Sequence, residues 1–236
     1  MRIIRTLKTI LSYGTIRKIP TNSLVIFGSN GGTGSHIVNK ALNCEKKVIS
    51  LIRPKHKMES SSNHIIYKGD VTNFNDVRKI YDNNDIGGTI ICLGGKTSEV
   101  GENMLTNGTK NIIESILLTN SSKKIAVVTS IGTGDSLDMP PFFFKILMNT
   151  ILKDAFIDKN NQENLFLNGI GQNLDFTIVR PSGLTNDIDN NKELCIAKDG
   201  TGTISRKKVA EFCYDIIYNT NLPSIYKNKT VCITSI

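Results

Sequence analysis

The chain has 236 residues, 39% of them hydrophobic, which suits one domain with a substantial core and excludes an intrinsically disordered protein. No apolar run approaches the ~20 residues of a membrane-spanning helix. The net charge of +8 raises the question of nucleic acid, but Arg2, Arg5, Lys8, Arg17 and Lys18 carry five of those charges ahead of the first acid, Glu45. The remainder has no basic stripe interleaved with aromatics, so no nucleic acid is expected as a partner.

In residues 1–20, Ile3, Ile4, Leu7, Ile10 and Leu11 share one helical face beside Arg2, Arg5 and Lys8, with no acid. That is the pattern of a mitochondrial presequence and equally of a short basic helix on the outside of a domain. The expected location is the cytoplasm, or mitochondria if residues 1–20 act as a presequence. Residues 21–236 then form the domain proper.

The apolar run 24–27 ends in glycines and reads as a buried strand. A helix is expected over 32–42, a second strand over 48–52 up to Pro54, and a third over 65–67 leading into Gly69-Asp70. Residues 73–81 read as a helix capped by Asn73 or Thr72. Residues 88–93 form the fourth strand, closed by Gly94-Gly95. A helix is expected over 107–118 and a strand over 124–128. After Pro140-Pro141 one long helix is expected over 142–167, with Phe142, Phe143 and Phe144 expected in the core more than in a pocket. Residues 175–180 form the sixth strand, stopping at Pro181. A helix over 207–218 and an apolar run at 230–234 complete the chain.

Continuously apolar strands separated by helices imply a parallel sheet covered on both faces. With right-handed crossovers the economical topology is the Rossmann-type doubly wound α/β fold, in a single domain. The five cysteines (Cys44, Cys92, Cys195, Cys213, Cys232) and three histidines fall at no metal-ligand spacing, so reduced thiols and no metal are expected.

In such a fold ligands bind at the carboxyl ends of the strands. The turn Gly28-Ser29-Asn30-Gly31-Gly32-Thr33-Gly34 falls there. Gly28 suits the tight turn, Gly31 lets the backbone approach a pyrophosphate, and Gly34 lets helix and strand pack closely. The amides opening the helix then face phosphate with the positive end of the helix dipole. Dinucleotide binding follows. NAD binders usually place an acid at the end of the second strand for the ribose 2′-hydroxyl. Here that place holds Arg53, whose guanidinium suits a 2′-phosphate, with Ser29 and Asn30 as neutral donors, so NADP(H) is expected over NAD(H). Asp70 reads as an acceptor for the adenine amino group or as a turn residue. Leu93, Gly94 and Gly95 are expected beside the cofactor.

These features, with Gly69-Asp70-Val71, the 107–112 segment, the 129–134 segment, Val179-Arg180-Pro181 and Ile204-Ser205, resemble the atypical short-chain dehydrogenase/reductases. The likeness is to their NAD(P)-binding NmrA-like group, of the biliverdin reductase B/flavin reductase type. The resemblance implies that Gly28, Asn30, Gly31, Thr33 and Gly34 cradle phosphate and that Arg53 meets the 2′-phosphate. It sets Val71, Arg180 and Pro181 among the cofactor contacts and Ser130 beside the nicotinamide, with Pro181-Ser182 lining the substrate side. The ketone-reducing members use Tyr-x-x-x-Lys on the long helix. Lys159 fits the lysine, but Ala155 stands where the tyrosine would be. Catalytic roles are therefore expected only of Ser130 and Lys159.

Without that acid, hydride transfer suits an extended π-system, where the negative charge is delocalised and solvent supplies the proton. The leading expectation is an NADPH-dependent reductase of a small conjugated acceptor such as a flavin or quinone. The alternative is a non-catalytic NADP(H)-binding redox sensor or assembly protein. An epimerase ranks third, because that chemistry usually needs the tyrosine.

Overall fold

The computed structural model describes residues 22–95, 101–121, 124–187, 192–219 and 225–236. The basic amphipathic pattern of residues 1–20 lies outside them. The strands and helices alternate as the apolar runs demand. They are β1 (Ser23–Phe27), α1 (Gly32–Asn43), β2 (Val48–Ile52), β3 (His64–Lys68), α2 (Phe74–Asn83), β4 (Ile86–Ile91) and α3 (Met104–Thr119). Then come β5 (Ile125–Val128), α4 (Phe142–Asn149), α5 (Lys153–Leu167), β6 (Phe176–Pro181), β7 (Gly183–Thr185), β8 (Leu194–Ile196), β9 (Thr203–Ser205), α6 (Arg206–Tyr218) and β10 (Lys229–Ser235).

The sheet runs β3-β2-β1-β4-β5-β6-β10-β9-β7, with β8 pairing β10. The first seven strands of that order are mutually parallel. This is the doubly wound Rossmann order, and it aligns the carboxyl ends of β1 to β6 along one edge. Leu24, Ile26 and Ile90 pack with α1 and α6 on one face, while Val25, Phe27 and Ile91 pack with α2, α3 and α5 on the other. Strand residues buried on both faces are why these runs are apolar without alternation. No helix among the described residues is long and apolar enough to cross a membrane.

The helix expected over 142–167 is two helices. Thr150 takes φ −120° and ψ −93°, and its hydroxyl donates to the Ile146 carbonyl at 2.8 Å, an alternative to continuing the helical ladder. The phenylalanines of α4 are also not core: Phe142 is 71% and Phe143 84% exposed. This eight-residue helix packs chiefly against α5, where Phe144 meets Phe156 edge-on. The strands β7, β8 and β9 are additions to the sequence reading.

Of the two candidate caps, Asn73 caps α2, its Oδ1 accepting from the Asn75 amide at 2.9 Å. Helix α3 is capped from outside. Its own N-cap residue, Asn103, sits at φ +56° and makes no side-chain capping bond. The Asp158 carboxylate of α5 accepts instead from the Leu105 amide at 2.8 Å and the Thr106 amide at 2.9 Å. A buried carboxylate against a helix N-terminus satisfies orphan donors and complements the dipole. Asp158→Ala is expected to lower stability by about 1–2 kcal/mol, read as a shifted urea midpoint with an unchanged slope; an unshifted midpoint would refute the cap.

Candidate functional site

The glycine turn joins β1 to α1, and its backbone demands glycine at two positions. Gly28 has φ +84°, and a Cβ there would stand 2.4 Å from the Cys92 carbonyl oxygen of the neighbouring strand end. A Cβ on Gly34 would stand 2.1 Å from the Gly28 carbonyl oxygen. The first contact keeps the turn tight, and the second keeps α1 pressed against it. The N-cap residue of α1, Gly31, contributes no side-chain capping bond, so the first amides of the helix are served by nothing from that side chain. Such an arrangement can receive phosphate: backbone donors, no side chain in the way, and the positive end of a dipole.

Around this turn the strand ends bring most of the sequence-selected residues together. Gly28, Asn30, Arg53, Asp70, Val71 and Gly94 line one depression at the ends of β1 to β4, with Leu93 beside them. An adjoining cleft of about 410 Å³ is lined by Gly28, Gly31, Gly32, Thr33, Gly95 and Lys159. Asp70 lines the depression, but its Oδ1 accepts from the Thr72 amide at 2.8 Å and the Thr72 hydroxyl at 2.7 Å. The turn role anticipated for Gly-Asp is therefore realised in these bonds.

Two selected residues are not presented to the cleft. Ser29 is wholly buried, and its hydroxyl has no hydrogen-bond partner. The tight turn at Gly28 directs this side chain into the protein, so it offers no donor to a cofactor. Arg180 is 1% exposed. It lies on β6 facing α5, and its Nη2 donates to Glu163 Oε2 at 2.6 Å and its Nε to Oε1 at 3.1 Å. Asp135 holds the other side of the guanidinium. Burial lowers the Arg180 pKa, and pairing with Glu163 and Asp135 more than reverses this, raising it above the ordinary value. Arg180 is thus a buried charge paired with Glu163 inside and Asp135 at the rim, and it does not line the glycine-turn cleft. Its neighbour Pro181 faces the second cavity described below.

That cavity, of about 550 Å³, opens beyond β5 and β6. Ile131, Pro140, Pro141, Phe144, Pro181 and Leu184 give it apolar walls. Thr129, Leu184 and Arg206 line both this cavity and the glycine-turn cleft, so the two share a boundary. Ser130 lines the cavity, its hydroxyl donating to the Ile131 carbonyl at 3.0 Å. Thr129 gives its hydroxyl proton to Glu163 and Ser182 gives its own to Thr234. Among the described residues, neither a carboxylic acid nor a tyrosine nor a histidine lines the cavity. Lys159 sits on α5 at the cleft side, its Nζ 3.4 Å from the Thr129 carbonyl oxygen. Desolvation lowers its pKa, and Glu163 and Asp158 oppose that shift. Ala155, one turn earlier, offers no proton.

Sequence reasoning missed Glu163 and Arg206. Glu163 gave no signal on a polar helix. Arg206 did: α6 opens Arg-Lys-Lys with no acid in its first turn, contrary to the usual charge preference of a helix start.

The sequence of residues 28–220 matches the model of the NAD(P)H-binding family. The chain belongs to that family, and its glycine turn and strand order are those of a dinucleotide-binding Rossmann domain. No curated protein matches the chain in sequence. Solved structures match in fold. The anaerobillin reductase ChuY of Escherichia coli is 18% identical with a TM-score of 0.71, over 90% of this chain and 97% of that one. A wide-type short-chain dehydrogenase/reductase of Veillonella parvula, solved in complex with NADP, is 15% identical with a TM-score of 0.71, over 90% and 94%. A candidate NADH-flavin reductase of Streptococcus pneumoniae is 18% identical with a TM-score of 0.67, over 91% and 100%. At these identities the likeness is one of fold.

Proposed function

We propose that this protein is an NADPH-dependent reductase of a planar, conjugated acceptor. The observation that carries the reading is the apolar cavity adjoining the glycine-turn cleft, with no acid among the described residues that line it. The backbone of residues 28–34 and Thr33 would hold the diphosphate, Arg53 and Asn30 the adenosine 2′-phosphate, and Gly94-Gly95 would lie along the ribose. The reduced nicotinamide supplies a hydride. Lys159 would hold the nicotinamide ribose from α5, and its position beside the Thr129 carbonyl keeps the ammonium at the cleft rather than in the cavity. Ser130 and Pro181 would face the acceptor across the shared boundary, and Phe144 with the prolines would shield it from water.

The lack of a carboxylic acid, tyrosine or histidine among the described lining residues bears on the acceptor. A ketone reduced without an acid would become an alkoxide of high energy, whereas an extended π-system spreads the charge until solvent protonates it. The acceptor-side names carried by two fold relatives, anaerobillin reductase and NADH-flavin reductase, agree with that class. Steady-state NADPH oxidation with flavins, quinones and linear tetrapyrroles tests the reading. Turnover with one of these and none with simple ketones is expected. Tight NADPH binding with no turnover across the panel would sink it.

A second reading, an NADP(H)-responsive sensor, is favoured by the exposed apolar surface of α4 and the turn after it, where Phe143 is 84% and Ile151 82% exposed. This surface adjoins the cavity through Phe144. A sensor would capture a partner through this surface in one redox state of the cofactor; equal capture with NADP⁺ and NADPH would dismiss it.

A further inference from the structure

We propose that Arg206 clamps the cofactor's diphosphate, reaching across the glycine turn from the start of α6. The inference rests on the glycine-turn cleft being the dinucleotide site, and it adds the cation that the turn itself lacks.

Between Gly28 and Gly34 the side chains are serine, asparagine and threonine only. Backbone amides and a helix dipole must then meet a group carrying two negative charges. Among the described residues, the charged side chains lining the cleft are Lys159 and Arg206. Lys159 lies toward β5, beside the Thr129 carbonyl. Arg206 lies on the turn: a Cβ added to Gly32 would stand 2.7 Å from Arg206 Cδ and 2.8 Å from its Nε. The absence of a side chain at Gly32, the first residue of α1, is what lets the arginine lie there. Its guanidinium is therefore beside the amides that open α1, where a phosphate is held.

Two further features aim the arginine at an anion. Asn186 Oδ1 accepts from Arg206 Nη1 at 2.8 Å, which fixes the guanidinium in orientation without neutralising it. Arg206, Lys207 and Lys208 form the first turn of a helix with no acid there. Cations at the positive end of a helix dipole oppose it, so the arrangement gains from an anionic occupant. A guanidinium offers a planar fork to two phosphate oxygens, which an ammonium does not. Arg206 also borders the acceptor cavity, so a diphosphate held by it would fix the cofactor at the boundary where reduction takes place.

The test titrates wild type and Arg206→Gln with NADPH and, in parallel, with adenosine 2′-monophosphate, which lacks the diphosphate. (Adenosine replaces the monophosphate if wild type prefers NADH.) The variant is expected to bind NADPH about 10- to 100-fold more weakly and the adenosine ligand within about 2-fold of wild type, an internal control for folding. Arg206→Lys should fall between, since it keeps charge and loses the fork. Unchanged NADPH affinity overturns the proposal, and if the acceptor KM rises instead, the arginine serves the acceptor. Equal loss of both ligands also overturns it. Wild type binding neither dinucleotide removes the cofactor site itself, an outcome distinct from either.

Discussion

Glu163→Ala is expected to cost about 3–5 kcal/mol of unfolding free energy, the scale for breaking one side of a buried ion pair, and to lower the midpoint by roughly 10 °C in a chain of this length. Glu163 and Arg180 are each 1% exposed. The carboxylate accepts two guanidinium bonds, at 2.6 and 3.1 Å, and the hydroxyls of Thr129 and Thr133, each at 2.6 Å. Alanine would leave a buried guanidinium and the Thr129 hydroxyl without that acceptor, while the Thr133 hydroxyl keeps the Ser130 carbonyl at 2.7 Å. Asp135 does not substitute, because its own side chain is 80% exposed at the rim. Pairing keeps the Arg180 pKa above its ordinary value, so the guanidinium stays charged and the loss should be the same at pH 6 and pH 9. Glu163→Gln should fall between, keeping the shape and losing the charge. A joint replacement of Glu163 and Arg180 by methionine should be less damaging than Glu163→Ala, because no charge is then stranded. Urea unfolding decides it; a loss below about 1 kcal/mol for Glu163→Ala would mean water reaches the pair. The network also bears on the site, since Thr129 borders both cavities and a loosened 129–133 segment would blur their boundary.

What was legible in the sequence follows from what is local. The strands 24–27, 48–52 and 88–93 were visible because burial on both faces makes them uniformly apolar, and the strand order followed from their alternation with helices. The glycine turn was visible because φ at Gly28 and the contact at Gly34 admit no side chain. Non-local pairing was not visible. Val179-Arg180-Pro181 ends a strand at the functional edge, so Arg180 looked like a cleft residue; its partner Glu163 is seventeen positions earlier on α5, and no periodicity links them. Ser29 looked like a donor because it neighbours Gly28, but the turn sends its side chain inward. The break at Thr150 is set by one residue's backbone, and the three-residue strands β7, β8 and β9 are too short for an alternation pattern. The Arg-Lys-Lys start of α6 was a local signal, a breach of helix charge preference, and it marks the residue that now reaches the turn.

Arg53→Ala is expected to weaken NADPH binding about 100-fold, close to 2.7 kcal/mol, while moving NADH by less than about 3-fold. Arg53 is half-buried just beyond β2 and lines the same depression as Asn30 and Asp70. The proposed contact is a charge-assisted fork on the 2′-phosphate, each such bond contributing about 1.5–3 kcal/mol, and NADH has no phosphate there to lose. A carboxylate lining the same depression is Asp70, whose Oδ1 already takes both the amide and the hydroxyl of Thr72. An acid introduced by Arg53→Asp should therefore do what Asp70 does not, repelling the phosphate and accepting from the 2′-hydroxyl, and so invert the preference toward NADH. Parallel fluorescence titrations of wild type and both variants measure the ratio of the two affinities, which a general loss of folding would leave unchanged. If Arg53→Ala weakens both cofactors equally, Arg53 supports the depression without reading the phosphate, and the NADPH preference has to come from elsewhere in the cleft.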